Sequence, residues 1–245
     1  MANKPGAALI VGAGDATGGA IARAFAREGL TACITRRARH LDELQALAAA
    51  IEAEGHKARA FGVDARDEAE TVALFDTIEK EVGPLEACVF NIGANVRFPI
   101  TEMTEQVYRK VWEMAAYAGF LMGREAARVM SPRGRGTIIF TGATAAVRGG
   151  SGFAAFAGAK HALRALAQSM ARELGPKGIH VAHVVIDGAI DSAFIREMFP
   201  DADDRRARDG LLVPDEIAKN YVWLHRQHRS AWTHELDLRP WCETW

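Results

Sequence analysis

Short apolar runs alternate with helix-period stretches along the whole chain, and that alternation constrains the fold more than any other feature. The run Ala7–Val11, AALIV, is apolar at every position, as expected of a parallel strand buried on both faces. Further strands are predicted at TACIT, ARAFGVD, LEACVFN, GTIIFTG and GIHVAHVVID, with a last one at HELDL. Between them the apolar spacing predicts helices over residues 20–29, 40–55, 68–83, about 104–130 and 153–174, and from 214 onward. Strict alternation of this kind implies an α/β fold: a doubly wound, Rossmann-like parallel sheet of about seven strands, with right-handed crossovers and helices on both faces. No internal repeat or linker interrupts it, so one domain is expected over residues 1–245, with an insertion at about 189–212. The charged stretch PDADDRRARDG, residues 200–210, reads as a mobile surface segment.

Composition narrows the function classes. With 49% hydrophobic and 25% charged residues and a formal net charge of -1, the chain has no basic excess to suggest nucleic-acid binding. No apolar run is long enough to span a membrane, and MANKPG leads directly into the first strand pattern without a signal-like apolar region. Cys33, Cys88 and Cys242 are far apart and have no metal-type spacing, so they read as reduced thiols and a cytoplasmic location is expected.

The turn GAGDATGG, residues 12–19, joins the first strand to the first helix. Gly12, Gly14 and Gly18 there would let the backbone turn tightly and approach a pyrophosphate held by the helix's N-terminal amides. At the end of the second strand, where a carboxylate would hydrogen-bond the ribose of NAD, the chain has Thr35, Arg36 and Arg37. Arginine pairs with a 2′-phosphate, which favours NADP(H) over NAD(H), although Asp15 places a negative charge in the turn itself. Asp64, at the tip of the third strand, either accepts from an adenine amino group or caps the strand.

Together with VDARDE, FNIGA, FAGAK, SMARELGPKGIHV and IDGAIDS, this turn makes the chain resemble a short-chain dehydrogenase/reductase over nearly its whole length. The resemblance implies a nicotinamide cofactor and a small-molecule substrate. It also implies a homo-oligomer, a tetramer or dimer, packed through the helices at 104–130 and 153–174. The cofactor positions it implies are Gly12, Gly14, Asp15, Thr17, Gly18, Arg36, Arg37, Asp64, Ala65, Asn91, Gly93, Lys160, Gly188, Ile190 and Ser192.

The departures from the family pattern fall on the chemistry. Of the family's Asn-Ser-Tyr-Lys tetrad, the asparagine position reads Ala115, the serine position Ala143 and the tyrosine position Phe156; Lys160 alone remains. In the family the tyrosine protonates the carbonyl oxygen and the serine holds it. Losing an acid worth about 10²–10⁴-fold and an oxyanion donor worth about 10²–10³-fold makes standard ketone reduction a poor expectation. Candidate substitutes are Thr144, beside the empty serine position, and Asp187, where the family has proline. Thr144 reads equally as a loop cap, and Asp187 equally as the first residue of an Asp-Gly turn. Arg148 either meets an anionic substrate or is a solvated loop arginine, while His161 and His183 read as structural. Two function classes follow. One is a nicotinamide-dependent oxidoreductase reducing an activated C=C, C=N or carbonyl of an apolar small molecule. The other is a cofactor-binding protein of little activity, a sensor or partner subunit; a non-redox lyase or isomerase is a third option.

Overall fold

Seven parallel strands are present where the apolar runs place them. The computed structural model describes residues 5–244 and contains β1 (Ala7–Val11), β2 (Thr31–Arg36), β3 (Ala58–Gly62), β4 (Leu85–Phe90), β5 (Gly136–Thr141), β6 (Ile179–Ile186) and β7 (Glu235–Leu238). Their order in the sheet is β3-β2-β1-β4-β5-β6-β7, with every neighbouring pair parallel. The winding reverses between β1 and β4, which opens a crevice at the carboxyl ends of these two strands.

The crossover helices cover both faces. α1 (Thr17–Arg27), α2 (Leu41–Ala53) and α9 (Pro214–Arg226) pack Phe25, Ile51 and Tyr221 against Ala8 and Ile10 of β1. α3 (Glu68–Thr77), α5 (Ala118–Met130) and α6 (Ala154–Leu174) pack Phe75, Met122 and Leu163 against Ala7, Leu9 and Val11. Alternate residues of one apolar strand thus feed two cores, which is why β1 tolerates no polar position.

Two segments differ from the sequence expectation. The helix expected at about 104–130 is α4 (Glu105–Trp112) followed by a wide π-type turn at Glu113–Tyr117 and then α5. The wide turn brings buried Ala115 against α6, and such turns occur often at functional sites. Residues 189–213 carry two short helices, α7 (Ala193–Met198) and α8 (Ala202–Ala207). Within the charged stretch 200–210 most residues are exposed and Ala202 alone is buried; just beyond it Leu211 and Leu212 are buried, and Leu212 N donates to Ala189 O at 2.8 Å.

The first turn depends on two close approaches. Gly12 has φ +92, and a Cβ on Gly18 would fall 2.4 Å from the Gly12 carbonyl oxygen, so α1 rests directly on the turn. Asn91 Nδ2 donates to that same oxygen at 3.1 Å and ties the end of β4 to the end of β1. Replacing Gly18 with alanine is expected to push α1 off the turn and cost about 1–3 kcal/mol, read as a lower urea midpoint at unchanged m value.

Candidate active site

At the carboxyl ends of β1–β4 lies a cavity of about 280 Å³. Gly12, Gly14, Thr35, Arg36, Arg37, His40, Asp64, Ala65, Arg66, Asn91 and Gly93 contribute to its walls. A Cβ at Gly14 or Gly93 would meet nothing within 4 Å, so open space lies over the backbone at both positions. Ala16 supplies no side-chain cap to α1 and no acidic residue occupies the helix's first turn, an arrangement suited to an anion. Thr35 Oγ1 is buried on the cavity wall without a hydrogen-bond partner. Glycine cradle, uncapped helix end and orphaned hydroxyl fit the pyrophosphate and ribose of a nicotinamide dinucleotide.

The ribose end of the cavity is rich in guanidinium groups. Arg36 is ion-paired with Glu43. Burial, then the neighbouring charges of Arg39 and Arg66, hold the Arg37 guanidinium below the usual arginine range. A bound phosphate would relieve that repulsion. Asp64 is engaged by its neighbour: Arg66 Nε and Nη2 donate to its two carboxylate oxygens at 2.9 and 2.6 Å. This pairing, more than any other factor, holds the Asp64 carboxyl below its ordinary value. Asp15 is exposed, and Thr17 begins α1 in a buried position. Near the last strands, Gly188 touches Pro240, Ile190 bridges to Leu212, and the Ser192 hydroxyl caps α7 by accepting from Ile195 N at 3.3 Å.

The three residues expected from the sequence at the tetrad's asparagine, serine and tyrosine positions come together. Ala115 and Phe156 belong to one buried cluster with Val111, Ala145 and Ala159, and Ala143 packs against it. Lys160 lies beside this cluster, 2% exposed, donating to Thr141 O at 2.8 Å and to Ile92 O at 3.0 Å. Its Nζ sits 5.8 Å from the centre of the Phe156 ring, within cation–π range. Burial pushes the Lys160 ammonium down to about 7. The two substitute candidates are in contact: Thr144 Oγ1 donates to Asp187 Oδ1 at 2.5 Å. Asp187 is 2% exposed and faces two guanidinium groups, Arg148 at 3.5 Å and Arg239 at 3.6 Å.

The model of the short chain dehydrogenases matches residues 6–203. The chain belongs to the short-chain dehydrogenase family. Its fold is that of a short-chain dehydrogenase structure from Rhodopseudomonas palustris, 48% identical, with 96% of this chain and 99% of that one covered at a TM-score of 0.81. Gluconate 5-dehydrogenase of Gluconobacter oxydans is 29% identical over 191 residues, 78% of this chain and 72% of the relative. An actinorhodin polyketide ketoreductase solved with NADPH shares the fold at 22% identity, with 96% of each chain covered and a TM-score of 0.87. As a short-chain dehydrogenase the protein is a nicotinamide-dependent oxidoreductase. Among the described residues no helix is long and apolar enough to cross a membrane, and no group of three or more His, Cys, Asp or Glu is placed to hold a metal.

Two contributors to this dehydrogenase's site escape a sequence reading. Arg239 follows β7 and reaches Asp187 from 52 residues downstream, with no local motif to mark it. Arg66 carries a weak signal, a basic residue two positions after the strand-end aspartate, as the only hint that Asp64 is taken.

The buried lysine has a measurable consequence. With its pKa at about 7 when folded and near 10.5 when unfolded, the unfolded chain holds the extra proton between those values. Stability therefore rises with pH from about 7 to 10 on this account, and the cost of burying the charge is fully present below about 7. Lys160→Met is expected to flatten that slope, checked by urea unfolding of both proteins between pH 6.5 and 9.5.

Proposed function

We propose that the protein is an NADP(H)-dependent oxidoreductase acting without a tyrosine acid, on an activated C=C, C=N or carbonyl of an apolar small molecule. The observation that carries this reading is the hydrogen bond from Thr144 to Asp187, a hydroxyl–carboxylate pair adjacent to Ala143. A bound nicotinamide supplies or takes the hydride. Thr144 faces the reacting group, and Asp187 at rest is the carboxylate that accepts from it: as the substrate is reduced, the Thr144 proton moves to the substrate while Asp187 relays to Thr144 Oγ1 a proton taken up for that step. In the oxidative direction the two transfers reverse. Lys160 holds the cofactor ribose through its remaining N–H, since two of its three donors are already spent on Thr141 O and Ile92 O. The apolar cluster of Ala115, Ala145 and Phe156 forms the wall against which the substrate body rests.

NADP(H) is favoured over NAD(H) by the guanidinium groups of Arg36, Arg37 and Arg66 on the cavity wall, where burial and the neighbouring charges of Arg39 and Arg66 hold Arg37 below its usual range until an anion arrives. The NADPH bound to the ketoreductase that shares the fold agrees with a nicotinamide in this crevice. Exposed Tyr108, Trp112 and Phe120 along α4 and α5, with Ile100 in the loop before α4, support a homo-oligomer packed through that face.

Two measurements test the reading. NADPH is expected to raise the melting temperature more than NADH, and Arg37→Ala to weaken NADPH binding by at least about tenfold with little effect on NADH; equal shifts from both cofactors would remove the NADP preference. Turnover of NADPH with a panel of enones, imines and activated ketones is expected to fall by about 10²–10⁴-fold in Asp187→Asn, with NADPH affinity unchanged. Wild-type activity that survives this substitution would rule out the Thr144–Asp187 relay. Tight NADPH binding with no turnover on any panel member would point instead to the sensor or partner-subunit role.

A further inference from the structure

Arg148 has donors to spare. Its Nη2 lies 3.5 Å from Asp187 Oδ1, a charge contact too long for a good hydrogen bond, and the guanidinium makes no hydrogen bond to any other described residue. The Asp187 carboxylate accepts its one short hydrogen bond from Thr144 and meets Arg239 at 3.6 Å on its other oxygen. The carboxylate is 2% exposed while the Arg148 side chain is 42% exposed, so Asp187 anchors the fork from inside and leaves N–H groups directed outward. Across the same loop Arg97 lies over the ring of Phe153, 5.8 Å from its centre, and forms no ion pair with a described residue. Phe98 N donates to Gly152 O at 2.9 Å, joining the loop that follows β4 to the loop that carries Arg148. Beneath these loops lies the apolar cluster of Phe156, Ala115 and Ala145, with Ala143 and Phe153 packed against it.

We propose that Arg148, oriented by Asp187, is the binding residue for a carboxylate on the substrate. The substrate class is then a small, mainly apolar carboxylic acid in its anionic form, its body on Phe153, Phe156 and Ala143. This proposal rests on the oxidoreductase reading for the meaning of the site, but not for its test. A guanidinium presents parallel N–H groups that match a carboxylate in plane. The tethered geometry also serves the reaction: an acid anchored at Arg148 is held by the residue that touches Asp187, four positions along the chain from Thr144.

The test is a calorimetric titration with two isosteric probes, cyclohexanecarboxylate and cyclohexanecarboxamide, at low ionic strength, on both the free protein and the NADPH-saturated protein. The carboxylate is expected to bind at least about tenfold more tightly than the amide, the loss expected when a charge-assisted pair is missing. Arg148→Gln is expected to erase that preference while NADPH affinity stays within about twofold, and Arg148→Lys to restore part of it. Inorganic phosphate at the same concentration is expected not to compete. Equal binding of the two probes, no binding of either, or a preference that survives Arg148→Gln would each overturn the proposal. A failure of NADPH to bind would count against the cofactor reading alone, because the titration of the free protein still decides the carboxylate subsite.

Discussion

Lys160 is a buried ammonium with no carboxylate beside it, and its two hydrogen bonds join the loops at the ends of two central strands. It donates to the carbonyl of Thr141 at the end of β5 and to that of Ile92 just beyond β4. Removing a charge this far from water is costly, and neither carbonyl carries a formal charge to offset it, which is why burial pushes the group down to about 7. The cost is tolerable only because the sheet and α6 already hold both carbonyls in place. The crevice around the lysine depends on that rigidity: the Asn91 clamp on Gly12 lies on one side, and Gly142, whose N donates to Val184 O at 2.7 Å, on the other.

Beside this lysine, Ala115, Ala143 and Phe156, the residues that the sequence reading sets at the family's asparagine, serine and tyrosine positions, pack together as one apolar surface. Elsewhere, Asp187 accepts from Thr144, the residue next to Ala143, and meets Arg148 and Arg239.

Most of the fold was legible because burial on both faces of a sheet leaves few choices of residue. Runs such as AALIV and GTIIFTG have no polar position to place toward solvent, and the helices between them must then lie on the two faces. The glycine turn was legible for a steric reason, since only glycine fits where α1 rests on the Gly12 carbonyl. The wide turn at Glu113–Tyr117 was not legible, because its sequence continues the helical period and the extra residue per turn answers to packing against α6. The charged segment at 200–210 is mostly exposed, in keeping with its composition; what its pattern did not mark is that Ala202, and Leu211 and Leu212 just beyond it, turn inward.

By itself the sequence determined the order of elements, the cofactor turn and the absence of hydroxyl and amide groups at positions 115, 143 and 156, because these depend on residue type and local spacing. Only the tertiary structure decided which polar groups meet. Asp187 and Thr144 lie 43 residues apart, and Arg239 comes from beyond the last strand; they converge because β5, β6 and β7 end side by side. It also decided that Asp64 is engaged by Arg66, and that Arg148 keeps its hydrogen-bond donors unspent. Such pairings are set by distances across the sheet, and local residue pattern carries no record of them.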